Sequence, residues 1–346
     1  MIKNYIDKYI IAAIIICLFT FPTGCIEERS ENPVDYVNPF IGTSATGHTF
    51  PGASRPFGMV QLGPDNGETG DKHYNYSNKT IIGFSHTHLS GIGTGTLAKY
   101  ANILFMPSTG PLKIIPGTQD SPDEGYRSRY SHDEEYASPG YYRVNLIDYD
   151  IEVELTATKR AGMHRYLFPK TGQGYIIIDI TRKPLNGRQD IAGIEIIGDR
   201  TVAGSTTVLE REGDIPFTWY FYAELSRPFN SFRTFSEGNP VEGRRTAEGK
   251  EGVGTYLSYG TDEEEVILVR VGISFTGIEG AKRNLREEIS GWNFDGLRKE
   301  ASADWNVNLS RVQVGGSTRI NKVKFYTSLY HCLMFPCLAI PVVCSS

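Results

Sequence analysis

Short runs of β-branched and aromatic residues recur along most of the chain. Gly, Pro, Asn and Asp separate these runs, which is the pattern of strands joined by turns. In one run the apolar residues Ile151, Val153 and Leu155 alternate with polar ones, as expected of a strand with one buried face. We predict strands over residues 57–62, 141–146, 151–156, 175–180, 191–197, 218–225 and 266–275. Because no long helix is predicted before residue 277, the pattern favours an antiparallel β-sandwich over βαβ units.

A helical period replaces this pattern after residue 276. Apolar residues there form three stripes with a spacing of three to four positions: Ala281, Leu285 and Ile289; Leu297, Ala301 and Trp305; and Ile320, Val323, Tyr326 and Tyr330. Asn293 precedes the second stripe and belongs to the residue types that cap helix N-termini. We therefore predict three successive amphipathic helices, the last of which needs a partner.

The helical pattern ends after His331. Residues 332–346 contain two prolines, no charged side chain and three of the five cysteines of the chain, and they show no helical period. We interpret this tail as aberrant sequence that follows a change of reading frame or a truncation. A hydrophobic docking tail is the alternative. Under the first interpretation we expect Tyr326 and Tyr330 to be exposed, because nothing follows to cover them.

The N-terminus has the features of an export signal. Lys3 and Lys8 form a basic start, although Asp7 weakens it, and an apolar run follows over residues 10–21. This run of 12 residues suits the apolar core of a signal peptide and is shorter than the ~20 residues that span a bilayer. We predict a lipoprotein signal peptide over residues 1–24.

The residues around Cys25 resemble a bacterial lipobox. Thr23 and Gly24 are small, as that motif requires before the cysteine, while Pro22 stands where an aliphatic residue is usual. We predict that cleavage allows lipid attachment at Cys25 and anchors the protein to a membrane that it does not cross. The acidic residues at 27 and 28 resemble the tag of surface lipoproteins, so we expect an exported outer-membrane or cell-surface lipoprotein. A periplasmic or secreted protein with an unmodified cysteine is the alternative.

Composition excludes some classes of protein. The net charge is -5, from 35 basic and 40 acidic residues, so no basic surplus indicates nucleic-acid binding. A hydrophobic content of 40% over 346 residues is enough for a large core and more than one domain. Residues 26–331 contain no cysteine, so no disulfide framework supports this part of the chain.

Residues 83–95 are the most distinctive polar segment, with two histidines and several hydroxyl residues between glycines. Phe84, His86 and His88 would share one face of an extended chain. This composition favours a groove for a polar, hydroxyl-rich ligand. A strand edge with buried, satisfied histidines is the alternative. No compact ligand spacing links these histidines to His48 or His73, which disfavours a zinc site.

Several short motifs follow one another along the chain. In order they read DYVNPFIGT (35–43), PGASRPFGMV (51–60), PD (64–65), GFSHTHLSG (83–91), GWNFD (291–295) and YTSLYH (326–331). This series resembles the N-terminal domain and the start of the catalytic domain of glycoside hydrolase family 92. The resemblance implies a calcium-dependent exo-acting α-mannosidase with an N-terminal β-sandwich, a helical linker and a large (α/α)6 barrel. It also implies inverting hydrolysis, in which one carboxylic acid protonates the leaving oxygen and another carboxylate activates water.

The resemblance also divides the chain into segments. These are a signal peptide (1–24), a linker (25–34), the N-terminal β-sandwich (35–276), a helical linker (277–310), the start of the helical barrel (311–331) and the aberrant tail (332–346). Both catalytic carboxylates and the main calcium ligands of the family belong to the barrel. We therefore assign no catalytic residue and no metal ligand here, and we interpret Asp133, Glu134 and Glu135 as a solvated loop.

The resemblance assigns substrate contacts by position to His86 and His88, and also to Asp65. These residues would hydrogen-bond mannose hydroxyls or shape the pocket wall, with interdomain packing as the alternative. Many relatives carry a tryptophan shortly before this segment, and here Tyr74 or Tyr76 would substitute for it.

Two functional hypotheses result. The first is an N-terminal fragment of an exo-α-mannosidase that acts on the α-mannosides of glycans. Such a fragment would be inactive alone, because the barrel domain with the acid and base is missing, and calcium would serve only the complete enzyme. The second is a non-catalytic cell-surface lipoprotein whose β-sandwich binds carbohydrate.

Overall fold

The computed structural model describes residues 32–45, 47–67, 73–89, 100–181, 188–209, 216–241 and 243–334. All described strands lie before residue 275. Numbered along the chain, they are β1 Ala53–Ser54, β2 Gln61–Asp65, β3 Thr80–Ile81, β4 Gly83–Ser85, β5 Leu104–Thr109, β6 Ser128–Arg129, β7 Tyr136–Ser138, β8 Tyr141–Leu146, β9 Ile151–Ala157, β10 Ala161–Phe168, β11 Thr171–Asp179, β12 Arg188–Ile197, β13 Thr201–Leu209, β14 Phe217–Leu225, β15 Ser231–Ser236, β16 Asn239–Val241, β17 Thr246–Gly249, β18 Gly254–Thr261 and β19 Glu265–Ser274.

Two large antiparallel sheets form the body of this region. The order across the first sheet is β1-β2-β4-β5-β11-β18-β15-β16, and the order across the second is β17-β12-β13-β14-β19-β10-β9-β8-β7. Strands β3 and β6 pair with each other. The pairings within both large sheets are antiparallel. The predicted antiparallel β-sandwich is confirmed.

One predicted strand is displaced from its expected position. Regular pairing begins at Gln61 rather than at residue 57. Phe57 adopts a left-handed backbone conformation with φ of 58°, which a strand cannot contain. Its N–H donates to the carbonyl of Leu333 at 2.9 Å, so this stretch turns toward the helices instead of joining the sheet.

The main hydrophobic core lies between the two sheets. Phe105 and Ile178 of the first sheet and Val153 and Phe221 of the second belong to one continuous cluster of buried side chains. Burial of a side chain of this size contributes about 1.5–3 kcal/mol relative to exposure. The alternating apolar residues predicted to be buried, Ile151, Val153 and Leu155, therefore all belong to this core.

Three described helices follow the strands, as predicted, and they are α1 Ile278–Glu288, α2 Phe294–Leu309 and α3 Arg319–Met334. The Asn293 side chain caps α2 by accepting the N–H of Gly296 at 3.0 Å. Helix α1 packs on the outer face of the second sheet at Gly272. A Cβ at this glycine would lie 2.2 Å from the carbonyl oxygen of Ala281, so only glycine permits this close approach.

Helix α3 packs against residues that precede the sandwich and against α2. Tyr326 and Tyr330 are 4% and 0% exposed, so the expectation that they lack cover is wrong. The ring of Tyr36 stacks on Tyr326 at 5.7 Å, and Trp305 of α2 packs against Tyr330 at 4.5 Å. The spacing of an apolar stripe identifies the buried face of a helix, but not the segment that covers it.

Some predictions concern residues that the structure does not describe. The signal peptide, Cys25 and residues 335–346 of the predicted tail lie outside the described ranges. Helix α3 continues to Met334, three residues beyond His331, where the helical pattern was expected to end. No helix within the described ranges combines the length and the apolar character needed to cross a bilayer.

Polar bonds join the sandwich to helices α2 and α3. The buried guanidinium of Arg55 donates from Nε to the carbonyl of Ala157 at 3.0 Å and from Nη1 to the carbonyl of Glu300 at 3.1 Å. It also pairs with the carboxylate of Asp304. The indole N–H of Trp305 donates to the carbonyl of Ser54 at 2.7 Å. One short segment therefore bonds to both layers.

We expect Arg55→Met to lower the free energy of unfolding by about 2–4 kcal/mol, because it removes donors from buried carbonyls and breaks a partly buried ion pair. Urea denaturation of the purified chain measures this change. Arg311→Met is the matched control, since Arg311 is exposed, and we expect less than about 0.5 kcal/mol there. Equal losses in the two variants would contradict the role assigned to Arg55.

Candidate functional site

The structure brings Asp65 close to the histidine segment. Residue Asp65 ends β2, which pairs with β4, and its Cα lies opposite that of Gly83. The Asp65 Oδ2 atom accepts the backbone N–H of Ser85 at 3.1 Å, and Oδ1 lies 3.4 Å from Nε2 of His88. Antiparallel pairing of two strands therefore places a carboxylate from one motif beside an imidazole from another.

His88 lies in a fully enclosed environment. Its Nδ1 atom contacts the carbonyl oxygen of Gln61 at 2.8 Å, so both ring nitrogens face oxygen acceptors. The ring of Phe50 stacks on it at 4.5 Å, and the ring of His73 meets it edge-on at 5.6 Å. Phe50 belongs to the cluster that contacts α2 and α3, so His88 lies where the sandwich meets the helices.

His86 is part of a chain of hydrogen bonds inside the sandwich. Its Nδ1–H donates to the carbonyl of Ile103 at 2.9 Å, and its Nε2 lies 3.0 Å from Nε2 of His164 on β10. The hydroxyl of Tyr166 lies 2.8 Å from Nδ1 of His164. One assignment of protons satisfies every contact: Tyr166 donates to His164, which donates to His86, which donates to Ile103.

His86 and His164 are both neutral at pH 7. Burial lowers the pKa of His86 to about 4, although the bond to Ile103 opposes the shift. Burial also lowers the pKa of His164 well below its ordinary value, and the neighbouring His86 adds to this effect. A charge on either ring would have no water to solvate it. Sequence reasoning missed His164, because no local motif marks this histidine within β10.

The three predicted substrate-contact residues are therefore gathered around β2 and β4, but all are buried. Asp65, His86 and His88 are 0%, 0% and 1% exposed. His86 and His88 do not share one face as predicted, because β4 ends at Ser85. His86 points between the sheets, whereas His88 contacts the layer that faces the helices.

The acidic run at 133–135 is only partly a solvated loop. The first two residues are exposed, but the side chain of Glu135 is 1% exposed, which corrects our interpretation. Its carboxylate accepts the hydroxyls of Tyr142 at 2.7 Å and Tyr74 at 2.9 Å, and contacts Nδ1 of His132 at 2.5 Å. Burial raises the pKa of Glu135, and these hydrogen bonds oppose the shift.

This network decides between the two tyrosines that we considered in place of tryptophan. Tyr74 is 2% exposed and serves the buried carboxylate of Glu135. Tyr76 is 40% exposed, and its ring stacks on His132 at 3.8 Å with 5° between the planes. Of the two, only Tyr76 presents a surface to a ligand.

The described residues do not fit a calcium or zinc site. Calcium takes six to eight oxygen ligands, and structural zinc takes four N or S ligands. No group of three or more His, Cys, Asp or Glu in the described ranges is placed to hold a metal ion. The carboxylate of Asp65 is already engaged by the Ser85 N–H and by His88. We derive no catalytic step through a metal from these residues.

Comparison with known proteins decides the family. Residues 36–274 match the glycosyl hydrolase family 92 N-terminal domain, and residues 280–341 match the family 92 catalytic domain. The chain belongs to glycosyl hydrolase family 92. The first match covers the sandwich described above, and the second begins within α1.

Solved structures of family 92 enzymes have the same fold. The family GH92 α-mannosidase BT3965 from Bacteroides thetaiotaomicron is 36% identical with a TM-score of 0.83, over 89% of this chain and 42% of that chain. The inverting mannosidase BT2199 from the same organism is 26% identical with a TM-score of 0.77, over 90% of this chain and 40% of that chain.

A curated relative extends the comparison to a fungus. An uncharacterized secreted glycosidase of Arthroderma benhamiae is 25% identical over 335 residues, which cover 87% of this chain and 41% of the relative. The family 92 chain described here thus spans about two fifths of the length of these relatives.

We expect acidification from pH 7 to pH 5 to destabilise the protein. An unfolded histidine, with a pKa near 6.5, binds a proton in this range, whereas His86 with a pKa of about 4 does not, so stability falls as the pH falls. At pH 5 the loss from His86 alone is about 2 kcal/mol. Urea denaturation at the two pH values measures it.

His86→Asn is the matched variant for this measurement, since its amide can still donate to Ile103 but has no proton to gain. Glu135 and the other titrating groups apart from His164 keep their surroundings in both proteins, so their contributions cancel in the comparison. His164 loses only the smaller contribution of His86 to its pKa shift, because burial is the main cause. The variant should lose about 2 kcal/mol less than the parent chain on acidification. Identical losses would show that His86 titrates normally.

Proposed function

We propose that this chain provides the N-terminal sandwich and the first helices of an exported exo-α-mannosidase that acts on the α-mannosides of glycans. The family assignment carries this proposal. It is supported by 36% identity to the α-mannosidase BT3965, which has also been solved in complex with mannoimidazole. The secreted glycosidase of Arthroderma benhamiae supports export.

We propose that hydrolysis proceeds with inversion and with calcium, and that the acid, the base and the calcium ligands belong to the helical barrel of the complete enzyme. Inversion needs two carboxyl groups that face one cleft about 6.5–9.5 Å apart. The four buried carboxylates in the described ranges are committed to other partners. Asp65 and Glu135 have the partners given above, Glu154 accepts the Tyr141 hydroxyl, and Asp179 accepts the Tyr126 hydroxyl.

We propose that Asp65, His86 and His88 shape the wall of the substrate pocket. Their burial favours this role over direct contact with mannose hydroxyls, because side chains with 0–1% exposure present no surface to a ligand. Of the three, His88 is the one that supports the packing of the helices, because it stacks on Phe50, which belongs to the same cluster as Trp305.

The purified 346-residue chain should release no mannose from a p-nitrophenyl α-mannoside. A chimera in which this chain replaces the matching 42% of BT3965 should release mannose with calcium and lose that activity in EDTA. The reason is that the chimera unites this sandwich with a complete barrel domain. Intact BT3965 is the control for the assay.

Two outcomes would contradict the proposal. One is mannose release by the chain alone at a rate above that of a heat-denatured sample. The other is a chimera that unfolds cooperatively on heating, and is therefore folded, but hydrolyses no α-mannoside.

We also propose that the exported protein carries lipid at Cys25. Expression of the complete chain in a lipoprotein-processing bacterium, with radiolabelled palmitate, should label the protein, and Cys25→Ser should abolish the label. Cys332→Ser is the matched control, because Cys332 is an exposed free cysteine on helix α3. Equal labelling of the parent chain and Cys25→Ser would rule out attachment at this residue.

A further inference from the structure

A surface groove lies apart from the buried Asp65–His88 pair. It is formed by the 3₁₀ segment Pro33–Tyr36 with the residues that follow it, by strand β7 and by helix α2. Its volume is about 520 Å³, within the ~300–1,000 Å³ that is usual for small-molecule sites. The groove therefore has room for a ligand of one to a few sugar rings.

A strongly exposed aromatic ring, that of Tyr136, lines this groove. Among the large apolar side chains of the described ranges, three aromatic ones are strongly exposed: Tyr136 at 47%, Tyr76 at 40% and Phe325 at 36%. Tyr136 lines the groove, and Tyr76 packs edge-on at 5.9 Å against Phe40, which also lines it. The ring of Tyr136 packs against Tyr141, a second residue that lines the groove, at 5.9 Å, which limits the freedom that the ring loses when a ligand binds.

Polar groups with unused hydrogen-bonding capacity face the same groove. The carboxylate of Asp35 forms no hydrogen bond or ion pair with any residue in the described ranges, and it lines the groove together with the amide of Asn38. On the opposite side, the guanidinium of Arg298 lies 3.5 Å above the ring of Tyr141, whose hydroxyl bonds to Glu154 at 2.5 Å. This stacking positions Arg298 while leaving its N–H groups available.

We propose that this groove binds a neutral saccharide. The flat C–H face of a pyranose ring packs on Tyr136, and its hydroxyls donate to Asp35 and accept from Asn38 and Arg298. A saccharide needs this combination, because it carries an apolar face and many hydroxyls that both donate and accept. One carboxylate and one guanidinium leave the groove without a net charge, so it does not select an ionic ligand. Binding here requires neither hydrolysis nor a barrel domain, so it goes beyond the proposed function.

Saturation-transfer NMR and isothermal titration calorimetry on the 346-residue chain test this proposal. The probes are methyl α-mannoside, mannotriose, maltotriose, galactobiose and chitobiose. We expect at least one of them to bind, and we expect Tyr136→Ala and Asp35→Asn each to weaken that binding about tenfold or more. Phe325→Ala, which removes an equally apolar exposed ring on helix α3, should leave the affinity unchanged.

Two results would overturn the proposal. One is that no probe binds at millimolar concentration. The other is that a probe binds with the same affinity to Tyr136→Ala and Asp35→Asn as to the parent chain, which would place its site elsewhere. Both variants change exposed side chains, and their melting temperatures confirm that the fold is retained. Saccharide binding without mannose release would support the proposed binding site. Hydrolysis is tested separately by the chimera with BT3965.

Discussion

The segment from Ser54 to Gln61 is bonded on one side to the sandwich and on the other to the helices. Its centre is the buried guanidinium of Arg55, which satisfies carbonyls of both layers. At its end, the side-chain amide of Gln61 donates to the carbonyl of Met334 at 3.1 Å. A buried donor or acceptor that loses its partner costs more than a typical hydrogen bond contributes, so this segment constrains how sheet and helices pack.

The second sheet is covered on both faces. Its inner face fills the core against the first sheet, and its outer face packs on α1 and the start of α2. A strand such as β10 must then bury side chains on both of its faces. Met163 belongs to the helix-facing cluster, while Tyr166 belongs to the core between the sheets. The polar His164 is accommodated there because His86 and Tyr166 satisfy both of its ring nitrogens.

The buried polar groups and the surface groove point to different roles. Asp65, His86 and His88 are enclosed, so they are suited to hold the shape of the region near the helices. The groove beside Tyr136 and Asp35 presents polar groups that the described residues do not use, and it is suited to recognise a ligand.

The sequence by itself determined the fold class, the family and the three helices. Alternation in residues 151–155 and the Asn293 cap are local signals, and each is a consequence of backbone geometry within one element. Long motifs such as PGASRPFGMV identified the family because many residues must match in order. The spacing of Tyr326 and Tyr330 correctly marked one face of α3.

Only the tertiary structure decided which partners these residues meet. Tyr326 is covered by Tyr36, 290 positions earlier, and Glu135 is buried by Tyr74, 61 positions earlier. Nothing in the local pattern of either residue carries this information, because such contacts arise from the way distant segments pack. His86 and His88, two residues apart, also have different environments. The strand that would align them ends at Ser85, and each then packs against different segments.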